Sequence, residues 1–88
     1  MLNVVFKSRF KKDLKKLKSA QRNEDELLAV IESLANEEPL AERYRDHALT
    51  GNYAYHRECH IRPDWLLIYQ IEGSALILVR TGSHSELF

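Results

Sequence analysis

Three of the four histidines in this sequence lie beside turn signals rather than inside apolar runs. His47 lies in a polar stretch, while His84 follows a strand pattern and a glycine. His60 and Asp64 flank an Arg-Pro-Asp turn, where proline restrains the backbone and aspartate can bond to it. Because imidazole gains or loses a proton near neutral pH, a histidine held at a strand end can act as acid or base. The pattern therefore indicates acid–base chemistry at the edge of a sheet.

One reaction that these groups would suit is metal-free cleavage of an RNA phosphodiester. It needs a base for the 2′-hydroxyl, an acid for the departing 5′-oxygen and a cation that holds the phosphate. The histidines, Asp64 and an arginine such as Arg80 supply these groups. Structural roles stay open at this point, since a strand histidine such as His56 is more often a hydrogen-bonded scaffold residue. Trp65 and Phe88 are aromatics that a small domain could use for packing alone.

A metal-binding alternative rests on His56, Cys59 and His60, which lie close together in the sequence. The cluster has no second ligand pair at finger-like spacing, so zinc is disfavoured and no metal or other cofactor is predicted. Cys59 falls within a strand pattern, where a lone thiol usually behaves as a small apolar group. As the only cysteine, it excludes an internal disulfide and fits a reducing compartment.

The length of 88 residues predicts one folded domain, residues 1–88, with a modest core. Apolar residues make up 44% of the chain, and three glycines with two prolines are few, which indicates a folded globule. No apolar run approaches the ~18 residues of a membrane span, and no apolar signal core follows the basic N-terminus. We therefore predict a cytoplasmic location and no membrane association.

The formal net charge of zero hides a strong asymmetry. Residues 1–22 hold eight Lys/Arg against Asp13 alone, whereas residues 23–46 hold eight Asp/Glu against two arginines. Within the basic part, a helical pattern carries a row of lysines: Lys11, Lys12, Lys15, Lys16 and Lys18. Such a row is usually a solvated helix face, and the alternative is a surface that binds the phosphates of RNA.

The elements that would position these groups begin with a β-prone segment, residues 2–6, and a helix from Ser8, its predicted N-cap. A second helix is predicted from the cap Asn23, with Glu26 in the capping-box position, to near Glu37, ahead of a proline. Their apolar faces are predicted at helical spacings: Phe10, Leu14 and Leu17 in the first helix, then Leu27, Leu28, Ile31, Leu34 and Ala35 in the second.

Three strand patterns follow, at residues 53–61, 65–71 and 75–81. The middle pattern is nearly continuous in apolar residues, as expected for a strand buried on both faces. The element order β-α-α-β-β-β predicts an α+β fold with a mostly antiparallel, twisted sheet covered on one face by an αα-hairpin.

Three segments together resemble the YafQ-like branch of the RelE superfamily of bacterial toxins. They are DHALTG at 46–51, RECHIRPDWLLIY at 57–69 and RTGSHSELF at 80–88. The resemblance implies the toxin of a type II toxin–antitoxin pair, which enters the ribosomal A site and cuts messenger RNA without a metal. It implies three partners: a protein antitoxin, the small ribosomal subunit with its 16S RNA, and the mRNA substrate.

The resemblance also implies a catalytic set, namely His47, His60, Asp64, His84 and the terminal aromatic Phe88. His84 is the expected general base, and the sequence leaves open which of the other groups is the general acid. On physical grounds we assign Arg80 to phosphate stabilisation, and Trp65 to either contact with a base or packing. The lysine row becomes an expected contact with ribosomal RNA.

Two alternatives share the same scaffold. One is a non-catalytic, ParE-like toxin that inhibits gyrase, and the other is an inactive regulator that binds only the antitoxin. The group of His47, His60, Asp64 and His84 argues against the first, because a protein that only binds its target does not need it.

Overall fold

The computed structural model describes all residues, 1–88. Five strands and three helices follow one another along the chain: β1 (Asn3–Phe6), α1 (Ser8–Lys16), α2 (Glu24–Ala35), β2 (His47–Ala48), β3 (Arg57–Arg62), β4 (Trp65–Glu72), β5 (Ala75–Gly82) and α3 (His84–Leu87). Two short 3₁₀ turns, Glu42–Tyr44 and Gly51–Tyr53, flank β2. None of the helices has the length and hydrophobicity of a membrane span.

The strands form one sheet in the order β1-β5-β4-β3-β2. β3, β4 and β5 are a meander of antiparallel neighbours, β2 adds an antiparallel edge, and β1 pairs parallel with β5. After β1 the chain runs over one face of the sheet as α1 and α2 and enters the opposite edge as β2. The meander of β3, β4 and β5 then leads back, so that β5 lies next to β1. The predicted α+β fold with a mostly antiparallel sheet is confirmed.

The main core lies between the sheet and the helical hairpin. Phe10 of α1 and Leu27 of α2 are fully buried there against Leu67 and Leu78 of the sheet. Burial of each such side chain contributes roughly 1.5–3 kcal/mol. On the opposite face, a smaller cluster holds Leu66, Ile68 and Leu87. Residues Trp65–Tyr69 of β4 are therefore buried on both faces, as predicted, but the predicted burial was wrong at the end of the run, where Gln70 is half-buried and Ile71 is 49% exposed.

Several predicted boundaries were wrong by a few residues. The N-cap of α1 is Lys7, and Ser8 is its first helical residue. Asn23 does cap α2, because its side chain accepts the Asp25 N–H at 2.9 Å. Glu26, however, pairs with Arg62 instead of completing a capping box.

The bounds of α2 and β3 also differ from the prediction. α2 ends at Ala35, and Leu28 is 47% exposed although it was placed in the apolar face. Tyr53 belongs to a 3₁₀ turn, since β3 begins only at Arg57. β2 and α3 were not predicted.

Candidate active site

Cross-strand register brings the predicted site residues to one end of the sheet. His47 on β2 pairs with Glu58 on β3. Glu58 pairs with Ile68 on β4, and Ile68 in turn pairs with Arg80 on β5. A second row runs from His60 through Leu66 to Gly82, two residues before His84. Paired residues point to the same face of a sheet, and Leu66 and Ile68 mark this face as the one opposite the long helices.

His47, Glu58 and His60 form a tight cluster on this face. The Nε2 atoms of His47 and His60 lie 3.2 Å and 3.6 Å from the same oxygen, Oε2 of Glu58. The Nδ1 atoms contact the carbonyl oxygens of Arg45, at 2.6 Å, and Pro63, at 3.1 Å. A carbonyl only accepts, so Nδ1 carries the proton in each ring and Nε2 faces the carboxylate. Two arrangements would make these contacts favourable: a proton on an Nε2 atom that is donated to the Glu58 carboxylate, or a cation bound between the three side chains.

Glu58 is a candidate site residue that the sequence did not indicate. It is only 5% exposed, and its second oxygen, Oε1, is buried without a hydrogen-bond partner. An unpaired buried carboxylate oxygen is costly, which makes this position a functional candidate. The available signal was its spacing: Glu58 and His60 are two residues apart on a strand and so share a face.

His84 is held by α3 and by the turn between β3 and β4. The Asp64 carboxylate accepts the backbone N–H of His84 at 3.1 Å. Ser83 and Glu86 form a capping box around the same helical turn. The N–H and hydroxyl of Ser83, together with the guanidinium of Arg22, hold the pKa of the Glu86 carboxyl below its usual value.

The His84 side chain is exposed next to Phe88. Their ring centroids are 4.9 Å apart, and the Phe88 ring in turn lies 5.6 Å from that of Tyr53. Phe88 remains 57% exposed, so the C-terminal aromatic forms an open surface beside the histidine rather than part of the core.

Arg80 has a partner that the sequence did not indicate. Its Nε and Nη2 atoms donate to the two carboxylate oxygens of Asp13 at 2.7 Å and 3.2 Å, and Thr81 N–H donates to the same carboxylate. The buried Asp13 raises the pKa of the Arg80 guanidinium, and the bonds tie α1 to β5. Asp13 contacts only Nε and Nη2, and the nearby Tyr53 hydroxyl also contributes to the raised pKa of Arg80.

Trp65 lies in the core and is only 2% exposed. Its indole N–H donates to Thr81 Oγ1 at 2.9 Å, and that hydroxyl donates to the carbonyl of Leu66. In this conformation its ring has no face open to a base, so its burial favours the packing alternative over the predicted substrate contact.

Cys59 faces the main core, on the opposite side of β3 from His60. Burial raises the pKa of its thiol to about 12, which keeps it neutral. The three-residue cluster of His56, Cys59 and His60 considered from the sequence is therefore not assembled in the fold.

The predicted lysine row is exposed along and just beyond α1. The row consists of Lys11, Lys12, Lys15, Lys16 and Lys18. None of these five lysines forms an ion pair. Asp13, the one acid among them, turns inward to Arg80 and so does not neutralise this surface.

The family model and the curated relatives that match this chain indicate the same family. The family model described as the bacterial toxin of the type II toxin–antitoxin system, YafQ, matches residues 2–88. The mRNA interferase toxin YafQ of Escherichia coli K12 is 32% identical over 87 residues, which cover 98% of this chain and 95% of the relative.

Two solved structures are similar over the whole chain. A copper-bound mutant toxin from Helicobacter pylori superposes with a TM-score of 0.94 at 45% identity, with 100% of both chains covered. YafQ in the Escherichia coli DinJ–YafQ complex has a TM-score of 0.91 at 31% identity, covering 100% of this chain and 99% of that one.

Proposed function

The chain belongs to the YafQ family of toxins from type II toxin–antitoxin systems, and from this premise we propose a ribosome-dependent endoribonuclease that cuts messenger RNA in the A site. The observation that carries the proposal is the cross-strand register, which gathers His47, His60, Asp64 and His84 at one open end of the sheet. The resulting block of translation is the toxic effect, and action on ribosomes implies a cytoplasmic location.

The proposed reaction is an acid–base transphosphorylation. His84 removes the proton of the 2′-hydroxyl, the 2′-oxygen attacks phosphorus, and the bond to the 5′-oxygen breaks as a second group protonates that oxygen. The products are a 2′,3′-cyclic phosphate and a 5′-hydroxyl. The exposed ring of His84 beside the open surface of Phe88 supports its role as the base.

The acid is proposed to come from the cluster of His47, Glu58 and His60. A proton shared between an imidazole Nε2 and the Glu58 carboxylate is available for donation to the leaving oxygen. Asp64 positions His84 through the backbone, and Arg80 stabilises phosphate charge through the edge of its guanidinium that Asp13 does not occupy.

A cognate antitoxin is the proposed protein partner, because a relative is known in the DinJ–YafQ complex. We expect a segment of the antitoxin to fold on binding and to displace the C-terminal tail or prevent entry into the ribosome. The exposed lysine row is proposed to meet ribosomal RNA through its phosphates.

A second candidate activity is metal binding by the cluster of His47, Glu58 and His60. Their ligand atoms lie within 4.8 Å of one another, and Oε2 of Glu58 lies against the Nε2 atoms of both imidazoles. Two imidazoles and a carboxylate suit copper, nickel or zinc, and a similar toxin is known in a copper-bound form. A bound ion would occupy the Nε2 atoms and so compete with acid–base use of the same groups.

The test is incubation of the chain with ribosomes programmed with a defined mRNA, in buffer that contains magnesium and a chelator of transition metals. The proposal predicts cuts within the A-site codon that end in 2′,3′-cyclic phosphate and that depend on the ribosome. Intact mRNA together with inhibition of gyrase supercoiling would instead support the non-catalytic alternative.

A further inference from the structure

A cavity of about 560 Å³ opens on the sheet face that carries the candidate active site. Seven polar or aromatic residues from four parts of the chain line it: Lys7, Ser8, Arg9, Tyr53, His56, Gln70 and Arg80. Tyr53 also packs against the cluster of Leu66, Ile68 and Leu87, which places the cavity on the same side as His60. None of the lining residues is acidic.

The charges in this cavity are unbalanced. Lys7 and Arg9 are exposed, and neither forms an ion pair. Arg80 is the third cation, and Asp13 binds only its Nε and Nη2 atoms. Three cations with one opposing carboxylate favour an anionic ligand, and guanidinium and ammonium groups are the side chains that bind phosphate best.

A row of aromatic rings connects His84 to the cavity. The His84 and Phe88 centroids are 4.9 Å apart, Phe88 and Tyr53 are 5.6 Å apart, and Tyr53 and His56 are 5.7 Å apart. His56 donates Nδ1–H to the carbonyl of Ala54, which fixes the orientation of its ring. Single-stranded nucleic acids bind to such rows, since every base has a face or edge that can contact an aromatic ring.

We propose that this cavity is a second RNA subsite, which binds the phosphodiester of a nucleotide flanking the cleaved bond. Lys7 and Arg9 contact this flanking phosphate, and the base of that nucleotide packs on Tyr53 and His56. The subsite rests on the proposed ribonuclease function and extends it, because it holds the substrate in register with His84 without taking part in the proton transfers. It is a positioning site that reads the backbone rather than the sequence.

The subsite can be tested with a 2′-O-methyl RNA hexamer, which cannot be cleaved, and a matching trimer. Titration of the isotope-labelled chain is followed by NMR. The hexamer should shift the amide signals of residues 7–9 and 53–56 and should bind more tightly than the trimer. The double variant Lys7→Ala with Arg9→Ala should weaken hexamer binding about tenfold and flatten its salt dependence, because phosphate contacts are lost. Trimer binding should not change.

A matched control is the double variant Arg43→Ala with Arg62→Ala, which removes the same charge from side chains that do not line this cavity. An equal loss of hexamer affinity in the control would show that the loss reflects the lower net charge alone, and it would overturn the subsite. Unchanged affinity in the Lys7/Arg9 variant, with wild-type cleavage on ribosomes intact, would overturn the subsite alone. If the wild type neither binds RNA nor cleaves mRNA, the ribonuclease function itself fails.

Discussion

The carboxylate of Asp64 accepts a hydrogen bond from the backbone N–H of His84 at 3.1 Å. The two residues are twenty positions apart, at the turn between β3 and β4 and at the first turn after β5. Asp64 thus fixes the start of α3, the helical turn that carries both His84 and Phe88. This contact gives Asp64 a positioning role that needs only a hydrogen-bond acceptor.

The role of Asp64 can be separated from general acid catalysis by two substitutions. Asp64→Asn keeps an acceptor oxygen for the His84 N–H and should retain most of the cleavage rate, whereas Asp64→Ala should lose about tenfold as α3 loosens. A general acid would lose about 10²–10⁴-fold in both variants, since neither carries the proton. Single-turnover cleavage on programmed ribosomes distinguishes the two, and equal, large losses would make Asp64 the acid.

If His47, Glu58 and His60 bind a metal ion together, a substitution within this cluster should lower the affinity for copper selectively. Glu58→Gln removes the charged oxygen that both imidazoles share and should weaken Cu²⁺ binding by at least about tenfold, because a ligand is lost. His56→Ala is the matched control, since it removes an imidazole outside the cluster. Isothermal titration calorimetry measures both, and the same affinity in wild type and Glu58→Gln would contradict this site.

The buried pair of Asp13 and Arg80 predicts a large effect on stability. Asp13→Ala leaves a guanidinium and the Thr81 N–H without their partner, and should lower the free energy of unfolding by about 3 kcal/mol. Glu26→Ala breaks the exposed pair with Arg62 and should change stability little. Urea denaturation compares the two, and similar small changes would show that the Asp13 contacts add nothing.

The lysine row predicts a defect limited to ribosome binding. Replacement of Lys11, Lys12 and Lys15 by Glu should weaken binding to ribosomes strongly at low salt, because attraction to RNA phosphates becomes repulsion. Binding to the cognate antitoxin should be spared, which also serves as the control for folding. Co-sedimentation at two salt concentrations measures the effect, and unchanged affinity would return this row to a solvated helix face.

The fold was predictable because its main elements follow strong local patterns. The apolar run that begins at Trp65 indicated a strand buried on both faces, and Phe10, Leu14 and Leu17 marked the inward face of α1. Both predictions depend only on the local spacing of apolar residues, and the tertiary structure agrees with that spacing in both segments. The histidines and Asp64 could be chosen as candidate site residues because polar groups beside turn signals are visible in the sequence.

The features that were missed depend on contacts between distant residues. Glu58 resembles an ordinary strand acid until β2, a strand of two residues without an apolar pattern, places His47 opposite it. Asp13 lies among lysines and resembles a surface residue, but it binds Arg80, which is 67 positions further along the chain. α3 did carry a signal, the capping box of Ser83 and Glu86, although only four residues make up the helix.

The most direct test of the account compares wild type with His84→Ala in the programmed-ribosome assay, with cleavage ends mapped on the mRNA. The His84 side chain is exposed, so the variant should keep its melting temperature. Removal of the general base should slow cleavage by about 10²–10⁴-fold while ribosome binding is retained. A folded His84→Ala variant that cuts at the wild-type rate would contradict the assignment of His84 as the base and the mechanism built on it.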